Sequence, residues 1–362
     1  MMTLREAIGQ LFILGFEGQK SSEALETFVR DLTPGGLILF GRNLGSPEEI
    51  ATLTNALQVA SPTPLFFAID QEGGKVTRLQ QSPFTQWPSA SVVGAIGKTE
   101  LTYAVASAIA RELLVVGINM NMAPVLDVLS NPANPVMAGR CYGSDAHMVA
   151  QHGIAFYRGL ASEGVLAVGK HFPGHGDTTV DSHLALPVVP HDLGRLSAVE
   201  LAPFAAAIKA GIPALMTAHL LLPALDLERP VTLSRPILTD LLRGQLDFRN
   251  LIISDDLLMQ GIADSTPPGE AAVRFIEAGG DLMLICHDEA VQRQALVVVA
   301  EAVETGRLSE ARVQASCNRI ADAKAQYLYR KAAATAEGIR AVVGCDAHRR
   351  LAESVGRDCK GL

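Results

Sequence analysis

The sequence predicts an α/β fold, a (β/α)8 TIM barrel forming a single domain with a C-terminal helical tail. Three observations predict it. Eight short apolar runs bounded by glycine and proline recur along 362 residues, stretches with helical spacing of apolar residues lie between them, and chemically capable side chains sit at the ends of the runs. Runs that are continuously apolar rather than alternating are what strands covered on both faces by helices show. A doubly wound open sheet gives the same alternation. The third observation favours the barrel, because Asp70, Asp127, Lys170, His171, His219, Asp255 and His287 all fall at C-terminal strand ends, where a barrel gathers its site.

In chain order the strands are read in QLFILGFEG near residue 12, GGLILFGRN near 38, PLFFAIDQEGG near 67, INMNMAPVLDV near 121, VLAVGKHFPGHG near 168, IPALMTAHL near 215, NLIISDDLL near 253 and DLMLICHD near 284. The helix after the second opens Ser46-Pro47-Glu48-Glu49, a serine cap with proline in the first turn. Another, DAHMVAQHGIAFYRGLASEG, precedes the fifth strand. Beyond residue 290 only helical pattern follows, through QALVVVAEAVETG and then a segment started by Leu308, Ser309 and Glu310. The expected division is a barrel over residues 1–330 and a helical extension over 331–362 that packs on it and adds no second catalytic domain.

Composition narrows the function. With 48% hydrophobic and 19% charged residues the chain can bury a large core. A formal net charge of -8 without a lysine or arginine run argues against a nucleic-acid surface and for a small, lightly charged ligand. The start lacks a basic segment leading into a long apolar one, no run of about 18 apolar residues suggests a membrane span, and five scattered cysteines without CxxC spacing read as reduced thiols. The expectation is a cytoplasmic monomer acting on a small carbohydrate, with no nucleic acid, membrane, metal or cofactor.

The densest chemistry is KHFPGHGDTTVDSH, residues 170–183. His171 and His175 stand four apart, as in a zinc-binding helix, and with Asp177 they would make a metal hydrolase, but Pro173, Gly174 and Gly176 break any helix there. Asp181 and His183 offer another device, a carboxylate that holds an imidazole and steadies its charged form, so that a proton can be given and taken back near neutral pH. At the seventh strand end stand Asp255 and Asp256, of which alternation would turn only one to the barrel mouth; counting leaves open which. A carboxylate nucleophile on a strand and a proton donor on a loop are the parts of retaining glycoside hydrolysis. Asp70, Arg78, Arg140 and Lys170 would then hold sugar hydroxyls, with salt bridges or buried strand-end contacts as the alternative reading of Arg78, Arg140, Asp127 and His219. Met120, Met122 and His287 read as core or rim packing, and a sugar-binding barrel without turnover remains a competing class.

Taken together, KHFPGHGDTTVDSH, ISDDLLMQGI, AIDQEGGKVTRL, MAGRCYG and MTAHLLLPALD resemble glycoside hydrolase family 3, in its β-N-acetylhexosaminidase branch, from about Gly9 to Asp288. Where family members often read Ile-Gly-x-Arg-x-Phe-Gly, this chain has Met137-Ala138-Gly139-Arg140-Cys141-Tyr142-Gly143. The resemblance implies a barrel that removes terminal β-linked N-acetylglucosamine with retention, with Asp255 as nucleophile, His183 as acid/base and Asp181 orienting it. It also implies sugar-binding positions at Asp70, Arg78, Arg140, Lys170 and His171, and muropeptides of peptidoglycan recycling as substrates. A β-glucoside-active hydrolase or a phosphorylase of the same family is the alternative, since a deprotonated histidine is neutral and does not repel phosphate. The glycine-hinged loop that bears His183 is expected to close over the substrate.

Overall fold

Each of the eight apolar runs is a strand. The computed structural model describes residues 2–182, 184–328 and 334–360. In it β1 (Phe12–Gly15), β2 (Gly36–Leu39), β3 (Phe66–Ile69), β4 (Met120–Asn121), β5 (Leu166–Phe172), β6 (Ala214–Thr217), β7 (Leu251–Asp256) and β8 (Leu282–Ile285) run parallel and in sequence order around a closed barrel. Phe12 of β1 stands opposite Met283 of β8, which completes the circle. Every residue of β1, β2, β3, β5, β6 and β8 is buried, as continuous hydrophobicity requires of strands with side chains inside the barrel and against the helices.

The helices start where their caps say. Ser46 accepts the Glu49 N–H at 3.3 Å while the Glu49 carboxylate accepts the Ser46 N–H at 2.9 Å, a reciprocal box that opens the helix Pro47–Ala60. Asp145 caps the helix Ala146–Glu163 by accepting the Met148 N–H, Ser309 caps Glu310–Tyr327 by accepting the Arg312 N–H, and Glu289–Glu304 fills the remaining predicted segment. At the N-terminal ends of the strands, Asp281 is fully buried among the guanidiniums of Arg243 and Arg319, the Ser316 hydroxyl and the Ile252 N–H. Nearby the Lys324 ammonium enters from the helix Glu310–Tyr327, donates to Gln10 at 2.7 Å and lies 5.5 Å from the Phe66 ring centre. The Asp281 network ties the frame together at this end, since a barrel does its chemistry at the other.

Two features set the C-terminal strand ends apart. A short antiparallel hairpin, Gln71–Gly73 with Val76–Thr77, follows β3 and carries Arg78 at its exit. Register shifts interrupt β5 between Gly169 and Phe172 and the pairing of β7 between Ile253 and Asp256. Such a bulge puts an extra residue on one strand and re-aims its neighbours. The helices Ala336–Val342 and Asp346–Lys360 fold back against the outside of the barrel, beside the helices Ala90–Ile96 and Thr99–Val115. Among the described residues no helix is long and apolar enough to cross a membrane.

Candidate active site

At the C-terminal mouth of the barrel a cavity of about 250 Å³ is lined by polar side chains from β3, β5 and β7 and by Met122, Met137, Met216, Met259 and Leu284. That is just below the roughly 300 to 1,000 Å³ of pockets that hold drug-sized ligands, so it suits one sugar ring. A wider cleft of about 690 Å³ adjoins it at the ends of β1 and β8 and shares His287, but its arginines pair locally, Arg42 with Glu17 and Arg293 with Glu289. The smaller cavity holds the concentrated chemistry.

One wall is a chain of ion pairs. Lys170 donates to Asp70 at 2.8 Å and lies 2.7 Å from Glu72, Arg78 donates to Asp70 at 3.0 Å, and Arg140 grips Glu72 with two nitrogens at 2.8 and 3.0 Å. The β5 bulge explains how consecutive Lys170 and His171 both reach this wall. Burial alone would push the carboxyls of Asp70 and Glu72 up; Lys170 with Arg78, and Lys170 with Arg140, reverse this and hold both below the ordinary carboxylate range. Burial would likewise depress the Lys170 ammonium, yet the two carboxylates raise it. The wall is therefore ionised throughout, with donors and acceptors fixed in advance for hydroxyl groups.

Behind it, buried Asp127 collects the loop root. It accepts His171 Nδ1 at 2.7 Å and the His175 N–H at 2.6 Å. Arg140 reaches His171 Nε2 at 3.3 Å, and since a guanidinium only donates, Nε2 accepts and Nδ1 is the donor to Asp127. His175 is held by the Thr178 hydroxyl at 2.8 Å and Ser182 at 3.0 Å, and Asp177 by His191 and Ser130. Both ring nitrogens of His171 and His175, and both oxygens of Asp177, are thus engaged by protein partners, which removes the geometric support for a metal held by these three.

The opposite wall is the end of β7. Because of the register shift both Asp255 and Asp256 line the cavity, so alternation fails there and bonding distinguishes them instead. The Asp256 carboxylate accepts the Leu258 and Cys286 N–H groups at 3.2 Å each and is tied to the frame. Burial raises its carboxyl, the neighbouring Asp255 adds to that, and those two amides only partly offset it. For Asp255 burial also pushes upward, but His219, the Asp256 amide and Lys170 work against it and the group is held below the usual range. Two adjacent carboxyls pushed apart in this way take different tasks, and the one held lower, Asp255, is the nucleophile candidate.

Residues 3–323 match the family described as Glycosyl hydrolase family 3 N terminal domain. The chain belongs to glycoside hydrolase family 3. It is 37% identical over 392 aligned positions to Beta-hexosaminidase A of Pseudoalteromonas piscicida, covering 97% of this chain but 65% of that protein, less than two thirds of its length. It is 36% identical over 286 positions to the Beta-hexosaminidase of Alkalilimnicola ehrlichii, covering 77% of this chain and 81% of that one. Among solved structures, a family 3 beta-N-acetylglucosaminidase from Paenibacillus sp. str. FPU-7 superposes with a TM-score of 0.95 at 41% identity, over 99% of this chain and 69% of that one.

The family 3 barrel brings Asp70, Arg78, Arg140, Lys170, His171 and Asp255 around one cavity. Asp181 is half-buried, and its carbonyl accepts the Leu184 and Ala185 N–H groups. His183 lies outside the described residues, while its neighbour Ser182 lines the cavity. The sequence reading passed over Glu72, the anchor of both Lys170 and Arg140. Its signal was available, for Asp70 and Glu72 stand two apart after a strand, a spacing that puts two acids on one side. Arg78 and Arg140 do form salt bridges, but inside the cavity wall rather than on the surface. Met120 and Met122 are fully buried, Met122 lines the cavity floor, and His287 stacks on Phe40 at its rim with ring centres 5.7 Å apart.

Proposed function

We propose that the chain is a retaining, exo-acting β-N-acetylglucosaminidase working by double displacement through a covalent glycosyl-enzyme. The observation that carries this reading is the ionised Asp255 facing a one-sugar cavity whose far wall is already organised by Asp70, Glu72, Lys170, Arg78 and Arg140. Asp255 attacks the anomeric carbon, and protonated His183, oriented by Asp181, gives its proton to the leaving oxygen. Neutral His183 then takes a proton from water, which attacks and frees the sugar. Five carboxyl groups, Asp70, Glu72, Asp127, Asp255 and Asp256, stand in and behind the walls against the three cations Lys170, Arg78 and Arg140. This carboxyl-rich surrounding favours the positive, oxocarbenium-like transition state. The names of the hexosaminidase relatives support N-acetylhexosamine as the cleaved unit. For the aglycone the proposal is a muropeptide fragment, tested by release of N-acetylglucosamine from muropeptides against chito-oligosaccharides; cleavage of the latter alone would replace that part of the reading.

The deciding experiment is Asp255→Ala on a chromogenic β-N-acetylglucosaminide without added metal. Turnover should fall by several orders of magnitude, on the scale of about 10⁴-fold or more expected when a nucleophile is removed, and azide should restore product from an activated substrate with inverted configuration. Undiminished turnover in Asp255→Ala would end the proposal.

A further inference from the structure

The hairpin that carries Arg78 is held from behind by the C-terminal end of the chain. After Arg78 the chain returns through Leu79, Phe84 and Trp87, all buried, and the Trp87 carbonyl accepts the Gly74 N–H at 2.9 Å, which ties down the hairpin tip. Thr85 in the same stretch gives its N–H to Glu112 Oε2 at 3.2 Å and its hydroxyl to Oε1 at 2.6 Å. Glu112 belongs to the helix Thr99–Val115 and is 2% exposed. Its Oε1 also accepts the Gly344 N–H and His348 Nδ1, each at 2.9 Å. One buried carboxylate thus joins three stretches of chain, and losing a donor there leaves a buried acceptor unsatisfied.

The fit around this junction is close. Gly344 adopts φ 58, and a Cβ there would lie 1.8 Å from the Pro83 carbonyl oxygen, so only glycine lets the C-terminal segment pass over the hairpin return. The His348 and Trp87 rings lie 5.8 Å apart, and Ile339, Val343 and Val355 of the C-terminal segment are buried. All of these C-terminal residues fall beyond the residues 3–323 matched to the family.

We propose that Glu112 and His348 are positioning residues for sugar binding, through which the C-terminal helices Ala336–Val342 and Asp346–Lys360 brace the Arg78 hairpin. This rests on the reading of Arg78 as a sugar contact. The path is short: His348 and Gly344 fix Glu112, Glu112 fixes Thr85, Trp87 fixes Gly74, and the hairpin sets Arg78 against Asp70. Loosening the brace releases Arg78 without touching Asp255.

Trp87 is the sole tryptophan, at the junction and outside the cavity lining, so its emission reports on the brace directly. In the full chain, His348→Ala should raise KM about five- to tenfold with kcat within about twofold, the range of coupling through a packed network. His348→Asn, whose amide can donate where Nδ1 does, should restore KM. Saturating N-acetylglucosamine should shift the Trp87 emission of the unmodified chain. A folded His348→Ala protein with unchanged KM, even one with a lowered Tm, marks a merely structural tie and overturns the proposal. So does a Trp87 emission that ignores the sugar, a measurement that decides the matter should His348→Ala fail to fold. Arg78→Ala separates the two readings: unchanged KM there removes the sugar contact itself, whereas a raised KM in Arg78→Ala with none in His348→Ala removes only the brace.

Discussion

Replacing Glu72 with glutamine should damage both the stability and the activity of the barrel, because Glu72 is the shared counter-ion of two buried cations. Its side chain is 4% exposed, with Lys170 at 3% and Arg140 at 11%, so water screens little of the interaction. Glutamine keeps the shape and one acceptor oxygen but turns an amide group toward a cation. Removing one partner of a buried pair costs about 3–5 kcal/mol, because the charge left behind is uncompensated. With an unfolding entropy of about 2 cal/mol/K per residue over 362 residues, that lowers Tm by about 4–7 °C. For catalysis, a charge-assisted hydrogen bond contributes about 1.5–3 kcal/mol, so loss of the fork that holds Arg140 and Lys170 should reduce kcat/KM by about 10- to 100-fold. Thermal unfolding by circular dichroism and hydrolysis of a chromogenic β-N-acetylglucosaminide measure the two effects on one preparation. A Glu72→Gln protein that melts within about 1 °C of the original and keeps kcat/KM within about twofold, as a surface change would, refutes the central place given to Glu72.

Other outcomes follow from the same geometry. Asp256→Asn retains the oxygen that accepts from Leu258 and Cys286 and should keep activity within about fivefold, whereas Asp255→Asn should be nearly inactive; the reverse order would exchange their roles. His175→Ala removes the contacts to Thr178 and Ser182 and should slow substrates with poor leaving groups more than activated ones; an equal loss for both would detach His175 from proton delivery. With phosphate present, free N-acetylglucosamine should remain the product, because the carboxyl-rich cavity disfavours a second anion; a sugar 1-phosphate seen by ³¹P NMR would favour the phosphorylase. Burial pushes the Lys324 ammonium down to about 7. The unfolded chain then holds the extra proton between that pH and the ordinary lysine range, so stability rises with pH across the window, and the full cost is present below it. Lys324→Met should therefore raise Tm more at pH 6 than at pH 10, and an equal gain at both would contradict the assignment.

Most of the architecture was legible because its signals are local. Runs such as LFILG and GLILF are apolar at every position, which only strands covered on both sides tolerate, and Ser46 and Ser309 announce their helices within four residues. The strand-end rule then gathered Asp70, Lys170, His171 and Asp255 before any distance was known. What stayed hidden depends on pairing across the chain. The choice between Asp255 and Asp256 turns on a register shift against β8 and on amides from Leu258 and Cys286, neither of which strand alternation can foretell. Glu72 gained its meaning from Lys170, ninety-eight positions away, and Arg140, sixty-eight positions away. Glu112 sits in a helix whose sequence marks it as one more charged residue; only the folded chain reveals the donors from Thr85, Gly344 and His348 that it gathers.

The double grip of Asp127 on His171 and on the backbone of His175 has a consequence for how such a barrel can diverge. On the proposed function, Asp127 fixes a sugar-side imidazole and the root of the proton-donor loop with two oxygens of one carboxylate, so those traits inherit together. Substitutions at Asp127 cannot retune recognition while sparing proton delivery, nor the reverse. New specificity would have to be found at positions such as Met137, Met216 or Met259, where the lining is apolar and each change is felt by the ligand alone.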